Sequence, residues 1–137
     1  DNVEHFLGSL KFVGLLIAAT LLGSLFHYAI DPGSTVPCIG ASGGISGIMT
    51  FYALRFPKSK LAILLIWWIP SSWLRLSARW MFIIWILQQV LVIVQQAQGI
   101  GNVSGAAHLG GVVAGFIAWL ILREPPEKMI EPLERPA

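Results

Sequence analysis

Ala106-Ala107-His108-Leu109-Gly110-Gly111-Val112-Val113-Ala114-Gly115 opens a run that stays apolar to Leu122. At helical rise, residues 106–122 come close to the roughly 20 residues that cross about 30 Å of hydrocarbon. Two features do not belong on a helix that merely faces lipid. His108 is ionisable, and an ionisable group inside a span faces a protein interior or a wet cavity. Gly111 and Gly115 lie one turn apart, a small-x-x-x-small row that lets helix backbones approach closely in a bilayer. The whole chain supports a membrane reading. Of its 137 residues 55% are hydrophobic and 12% are charged, against roughly 25% charged in an ordinary soluble domain. Mean hydropathy is +0.73. So few charges cannot coat a globule of this size, which excludes a soluble enzyme and predicts an all-α, polytopic membrane helix bundle.

Working outward, three further stretches read as spans: 10–30, 39–56 and 76–97. The first stops at Asp31-Pro32-Gly33 and the second before Pro57, where a fixed φ and a flexible residue end a helix. Residues 61–69 are too few to cross and are closed by Pro70; with Trp67, Trp68 and Trp73 they are expected to lie in the interface. Residues 98–105 form a loop, and 124–137 a disordered cytoplasmic tail after a membrane domain over 1–123. With four alternating spans, Lys11, Arg55, Lys58, Lys60, Arg75, Arg79, Arg123 and Lys128 all fall on one side. Basic residues mark the cytoplasm, so the loops 31–38 and 98–105 are placed outside. The opening Asp1-Asn2-Val3-Glu4 has no basic start or cleavage motif and reads as the interior of a longer chain.

The second segment that breaks the lipid-facing pattern is Gly40-Ala41-Ser42-Gly43-Gly44-Ile45-Ser46-Gly47, at the outer end of the second span. Topology places Ser42 at the depth of His108. A hydroxyl becomes a useful nucleophile when a base takes its proton, and neutral imidazole suits that task near pH 7. Gly43 and Gly47 pair with Gly111 and Gly115 as rows that bring the two helices together, and Gly40 belongs to the same packing set. A helix beginning near Ser42 would aim its positive end and the Ser42 backbone N–H at a developing oxyanion.

Blander roles compete with each assignment. Ser42 alone would be a small residue in a helix contact, and His108 alone an interhelical hydrogen bond. Their shared depth and flanking glycine rows favour chemistry. His27 is expected to be an interfacial or supporting group and Ser46 a packing residue, while Gln88, Gln89, Gln95 and Gln96 give the third span a polar face. The literal Gly40-x-Ser42-x-Gly44 match to a nucleophile elbow lacks the buried strand that motif needs. No acidic residue occurs between Asp31 and Glu124, so the spans cannot assemble a Ser-His-Asp triad; a Ser42–His108 dyad is the expectation. One cysteine, Cys38, excludes a cysteine-built metal site, and nine Lys and Arg without a dense run exclude nucleic-acid binding.

These residues resemble the rhomboid intramembrane serine proteases. Gly40-Ala41-Ser42-Gly43 is similar to the family's GxSG on its fourth core helix, and Ala107-His108 with Gly111 and Gly115 to AHxxGxxxG on its sixth. The spans would then be the third to sixth of a six-helix core. The resemblance implies cleavage of transmembrane protein substrates near the outer face of a bacterial cytoplasmic membrane, with Ser42 attacking and His108 shuttling the proton, and with no metal or cofactor. It also marks two departures. The HxxxN motif that supplies oxyanion side chains is not in this sequence, which leaves the Ser42 backbone N–H and implies that these 137 residues alone are inactive. Some members stack a tyrosine, four residues after the serine, on the histidine; here Ser46 stands there, so His108 must be held in another way. A catalytically silent rhomboid-like protein that binds membrane clients is the alternative, against which the retention of both residues argues. A channel would need more polar residues along one path than the spans contain.

Overall fold

A computed structural model describes residues 2–33, 40–65, 72–99 and 103–123. In chain order they form α1 (Asn2–Leu7), α2 (Ser9–Ile30), α3 (Ala41–Arg55), β1 (Lys60–Leu65), β2 (Ser72–Ser77), α4 (Ala78–Ala97) and α5 (Gly105–Leu122). The chain is a helical membrane bundle. Among the described residues three helices, α2, α4 and α5, are long and apolar enough to cross a membrane. Their outward side chains, among them Leu21, Leu25, Leu87, Leu91 and Ile121, are exposed, as lipid-facing positions must be.

The second expected span is the exception. α3 has 15 residues, about 22 Å at 1.5 Å per residue, short of the hydrocarbon thickness. Its composition explains why that suffices. Gly43, Gly44, Ser46, Gly47, Thr50, Phe51 and Ala53 are buried, so α3 is enclosed by neighbouring helices instead of lipid. Its hydroxyls are satisfied within the helix: Ser46 Oγ donates to the Ser42 carbonyl at 2.7 Å and Thr50 Oγ1 to the Ser46 carbonyl at 2.7 Å.

Close packing of α2, α3 and α5 rests on residues without bulk. A Cβ on Gly43 would lie 3.2 Å from the Ala107 carbonyl and 3.4 Å from the Ala19 carbonyl, and one on Gly111 would overlap the Gly43 carbonyl. Gly47 faces Ala19 and the Gly111 carbonyl, and Gly115 faces Gly47. These contacts order the helices: α3 runs parallel to α5, because rising numbers meet rising numbers, and antiparallel to α2. α4 lies antiparallel to α5, since Gly105 meets Ile93 while His108 meets Gln89 and Trp85. Lys11, Arg55, Arg79 and Arg123, at the ends of four helices, therefore share one end of the bundle.

Of residues 61–69, expected as an apolar segment in the interface, the described part to Leu65 is a strand. β1 pairs antiparallel with β2 in the register Lys60↔Ser77 to Leu65↔Ser72, so α4 begins at Ala78 and not at residue 76. A hairpin pairs backbone groups that an irregular segment at lipid depth would leave bare. Trp67 and Trp68 lie outside the described residues, as do most of the 31–38 loop, part of the 98–105 loop and the tail over 124–137. Under the bundle, α1 buries Val3 and Leu7 against Leu15 and Phe51, and Arg55 stacks 4.3 Å over the Phe6 ring. Gly8, at φ 76°, makes the sharp corner between α1 and α2 that a side chain would disfavour.

Candidate active site

Ser42 is the second residue of α3, after Gly40 as N-cap. The first intrahelical bond of that helix runs from Gly44 N to Gly40 O at 3.2 Å. The N–H groups of Ala41, Ser42 and Gly43 precede it, so the positive end of α3 is gathered around the Ser42 side chain. Ser42 is exposed. His108 lies in the first turn of α5, half-buried, with its N–H directed to the Ser104 carbonyl at 3.3 Å. The contact between Gly43 and the Ala107 carbonyl joins the immediate neighbours of Ser42 and His108, so parallel α3 and α5 present the two residues at one level. Among the described residues no hydrogen bond joins the Ser42 hydroxyl to the His108 ring.

His108 is held from α4. Its Nδ1 lies 2.6 Å from Gln89 Oε1, and its ring meets Trp85 with centroids 5.8 Å apart at 41°. Trp85 and Gln89 are one turn apart and share a face. The third span thus supplies both contacts to the His108 ring. Gln89 is 3% exposed, while Gln88 and Gln95 point outward; only one glutamine of the expected polar face reaches the site. Ser46 is 1% exposed and bonds to backbone, which makes it a packing residue of α3.

Three contributors were not singled out from sequence. Ser104 is the N-cap of α5, its Oγ accepting from Ala107 N at 3.1 Å, and the same Oγ pairs with buried His27 of α2. Gly23 of α2 sits against the Ala107 carbonyl, and Gly110 against Leu22 and Gly23. Ala19-x-x-x-Gly23 carries the same small-residue signal as the rows on α3 and α5 and could have been found by it. Gly40 faces Thr20 and Ser24, so its contact is with α2. An apolar groove of about 590 Å³ runs along α3 and α4 from Asn2, Leu61 and Ala78 near the basic end to Ile45 and Trp85 on the side of the serine and histidine, and neither Ser42 nor His108 lines it. Among the described residues no group of three or more His, Cys, Asp or Glu could hold a metal ion.

A helical membrane bundle whose two glycine-packed helices begin with a serine and a histidine defines the class of protein. The rhomboid domain family matches residues 1–125, and the chain belongs to that family. It is similar to Rhomboid-related protein 1 of Caenorhabditis elegans, 31% identical over 88% of this chain and 32% of the relative. It is also similar to Rhomboid protease GluP of Bacillus subtilis (31% identical, 90% of this chain, 21% of the relative). RHOMBOID-like protein 12, mitochondrial, of Arabidopsis thaliana is 35% identical over 80% of this chain and 34% of that protein. The chain thus spans about a third or less of the length of each. No solved structure matches it significantly.

Proposed function

We propose that the chain carries the reacting groups of an intramembrane serine endopeptidase, with Ser42 as nucleophile and His108 as general base and acid. The observation that supports this reading is the contact of Gly43 with the Ala107 carbonyl, which brings the first turns of α3 and α5 side by side. In the proposed reaction Ser42 Oγ attacks the scissile carbonyl carbon as its proton passes to His108. The carbonyl oxygen becomes an oxyanion next to the Ser42 N–H at the positive end of α3. Collapse breaks the C–N bond, and His108 returns the proton to the leaving amine. Water, deprotonated by the same imidazole, then hydrolyses the acyl ester.

Membership of the rhomboid family and the membrane-spanning helices support transmembrane protein substrates, and the similarity to a B. subtilis protein named as a rhomboid protease supports proteolysis. Lys11, Arg55, Arg79 and Arg123 at the opposite end of the bundle support an outward-facing site. A silent rhomboid-like protein that binds membrane clients is the second reading, favoured by the lack of a Ser42–His108 hydrogen bond among the described residues. Catalytic hydrogen bonds in apo sites tighten when substrate binds, so the separation is compatible with the dyad.

Reaction with a fluorophosphonate decides. The full-length protein in detergent is expected to be modified at Ser42 Oγ and to cleave a transmembrane substrate, and Ser42→Ala to lose both. Undiminished cleavage by Ser42→Ala would remove the assignment.

A further inference from the structure

Gln89 is a buried polar side chain of α4, and it is aimed at His108. Gln89 is 3% exposed. A Cβ on Gly105 would stand 2.6 Å from Ile93 Cγ1 and 3.0 Å from the Gln89 carbonyl oxygen, so α4 and α5 pack at contact distance one turn below the histidine. That proximity lets Gln89 Oε1 reach His108 Nδ1 at 2.6 Å, while Gln89 Nε2 donates to the Trp85 carbonyl at 3.2 Å.

The second bond decides the meaning of the first. A carbonyl oxygen only accepts, so the amide end facing Trp85 must be the NH₂ and the end facing His108 must be the oxygen. The ring nitrogen opposite Oε1 therefore carries a hydrogen, an assignment made from the network. With the amide reversed, Oε1 would oppose the Trp85 carbonyl with no proton between them. The NH₂ would then claim the Nδ1 lone pair and drive the ring proton to Nε2. In a neutral imidazole one nitrogen donates and the other accepts. Nδ1–H therefore leaves Nε2 as the free base, the state a serine needs.

We infer that Gln89 is the positioning residue of the site: anchored on the Trp85 carbonyl, it fixes His108 as the Nδ1–H tautomer and orients the ring. The inference rests on the Ser42–His108 reading. A neutral amide takes the place that a carboxylate holds in a Ser-His-Asp triad, which accounts for a base that is oriented although no acidic residue lies between Asp31 and Glu124. Trp85, one turn away on the same face, packs against the ring and limits its rotation.

The test measures kcat and KM of the full-length protein on a transmembrane substrate, with ¹⁵N NMR of labelled histidine to locate the His108 proton. Gln89→Met keeps length and volume but offers no acceptor, and kcat is expected to fall about 10–100-fold with KM changed little. Gln89→Glu restores the acceptor and should recover most of that loss, whereas Gln88→Met on the outward face should match wild type. The proton should reside on Nδ1 in wild type and Gln89→Glu, and distribute over both nitrogens in Gln89→Met. Wild-type kcat in Gln89→Met overturns the inference, as does a Gln89→Glu no better than Gln89→Met. Should Gln89→Met fail to fold, a proton on Nε2 in the wild-type protein overturns it equally. Ser42→Ala runs alongside: full cleavage there removes the dyad itself, while its loss with no effect in Gln89→Met removes only the positioning role.

Discussion

His27 Nδ1 and Ser104 Oγ stand 2.8 Å apart although 77 residues separate them in sequence. The same hydroxyl oxygen accepts from Ala107 N at 3.1 Å, so Ser104 both caps α5 and pairs the buried histidine of α2. One side chain thereby sets the start of the helix that carries His108 and fixes it to its neighbour.

Ser104→Ala should therefore destabilise the bundle by more than a lost cap. The cap alone accounts for about 1 kcal/mol, and leaving His27 without its partner adds about 1–3 kcal/mol. Thermal unfolding in detergent of Ser104→Ala, His27→Ala and the double variant separates these terms. The double variant should be more stable than the sum of the two losses predicts, because the second substitution removes a bond already gone. Strict additivity would mean that the two residues do not interact.

Gly111→Val places side-chain atoms where the Gly43 carbonyl already stands, so α3 and α5 must separate. A displacement on the order of 1 Å between reacting groups can lower the rate about 100-fold. Gly14→Ala is the control: it lies within α2, and an added Cβ there meets nothing within 4 Å. That variant should keep its activity and gain up to about 1 kcal/mol from the better helix former. Wild-type activity in Gly111→Val would show that the packing of α3 on α5 does not position the site.

For orientation, cysteines introduced in a Cys38→Ala background give a direct reading. Gly33→Cys, after α2, and Val103→Cys, before α5, lie at exposed positions at the Ser42 end of the bundle, and Lys58→Cys lies at the other end. An impermeant thiol reagent added outside intact cells should label the first two and spare the third. The converse pattern would turn the site toward the cytoplasm.

The long helices were legible because lipid imposes a simple rule on them. The expected spans 10–30 and 106–122 differ from α2 and α5 by one residue at one end each. The hairpin was not. Leu61-Ala62-Ile63-Leu64-Leu65 is apolar throughout, and a short apolar run has no period that separates strand from helix. In its partner Ser72–Ser77 only residues 76 and 77 read as part of the next helix, and Trp73 reads as interfacial. α3 was drawn too long because an apolar run does not say whether lipid or protein surrounds it; Gly43, Gly44 and Gly47 in a row of buried small residues were the available sign. Within the candidate site, the serine and histidine stood out by type and depth. Gln89 did not stand out from Gln88, since the two differ only in which way α4 is rotated against α5. A single sequence records the phase within a helix, not the phase between two.

The last prediction concerns how Ser42 and His108 act together. If His108 removes the Ser42 proton, each residue is useless for covalent chemistry without the other, so their losses cannot add. Ser42→Ala and His108→Ala should each abolish measurable cleavage of a transmembrane substrate by the full-length protein, and the double variant should be no worse than the poorer single one. The fluorophosphonate reaction sharpens the point, because it reads the nucleophile without needing substrate to bind. His108→Ala retains the Ser42 hydroxyl at the start of α3 but removes its base, so the probe should react at most slowly, although the helix end still favours the negative charge on phosphorus-bound oxygen. Labelling of His108→Ala at the wild-type rate would mean that the helix terminus alone activates Ser42, and another base would have to be sought among the groups that reach α3.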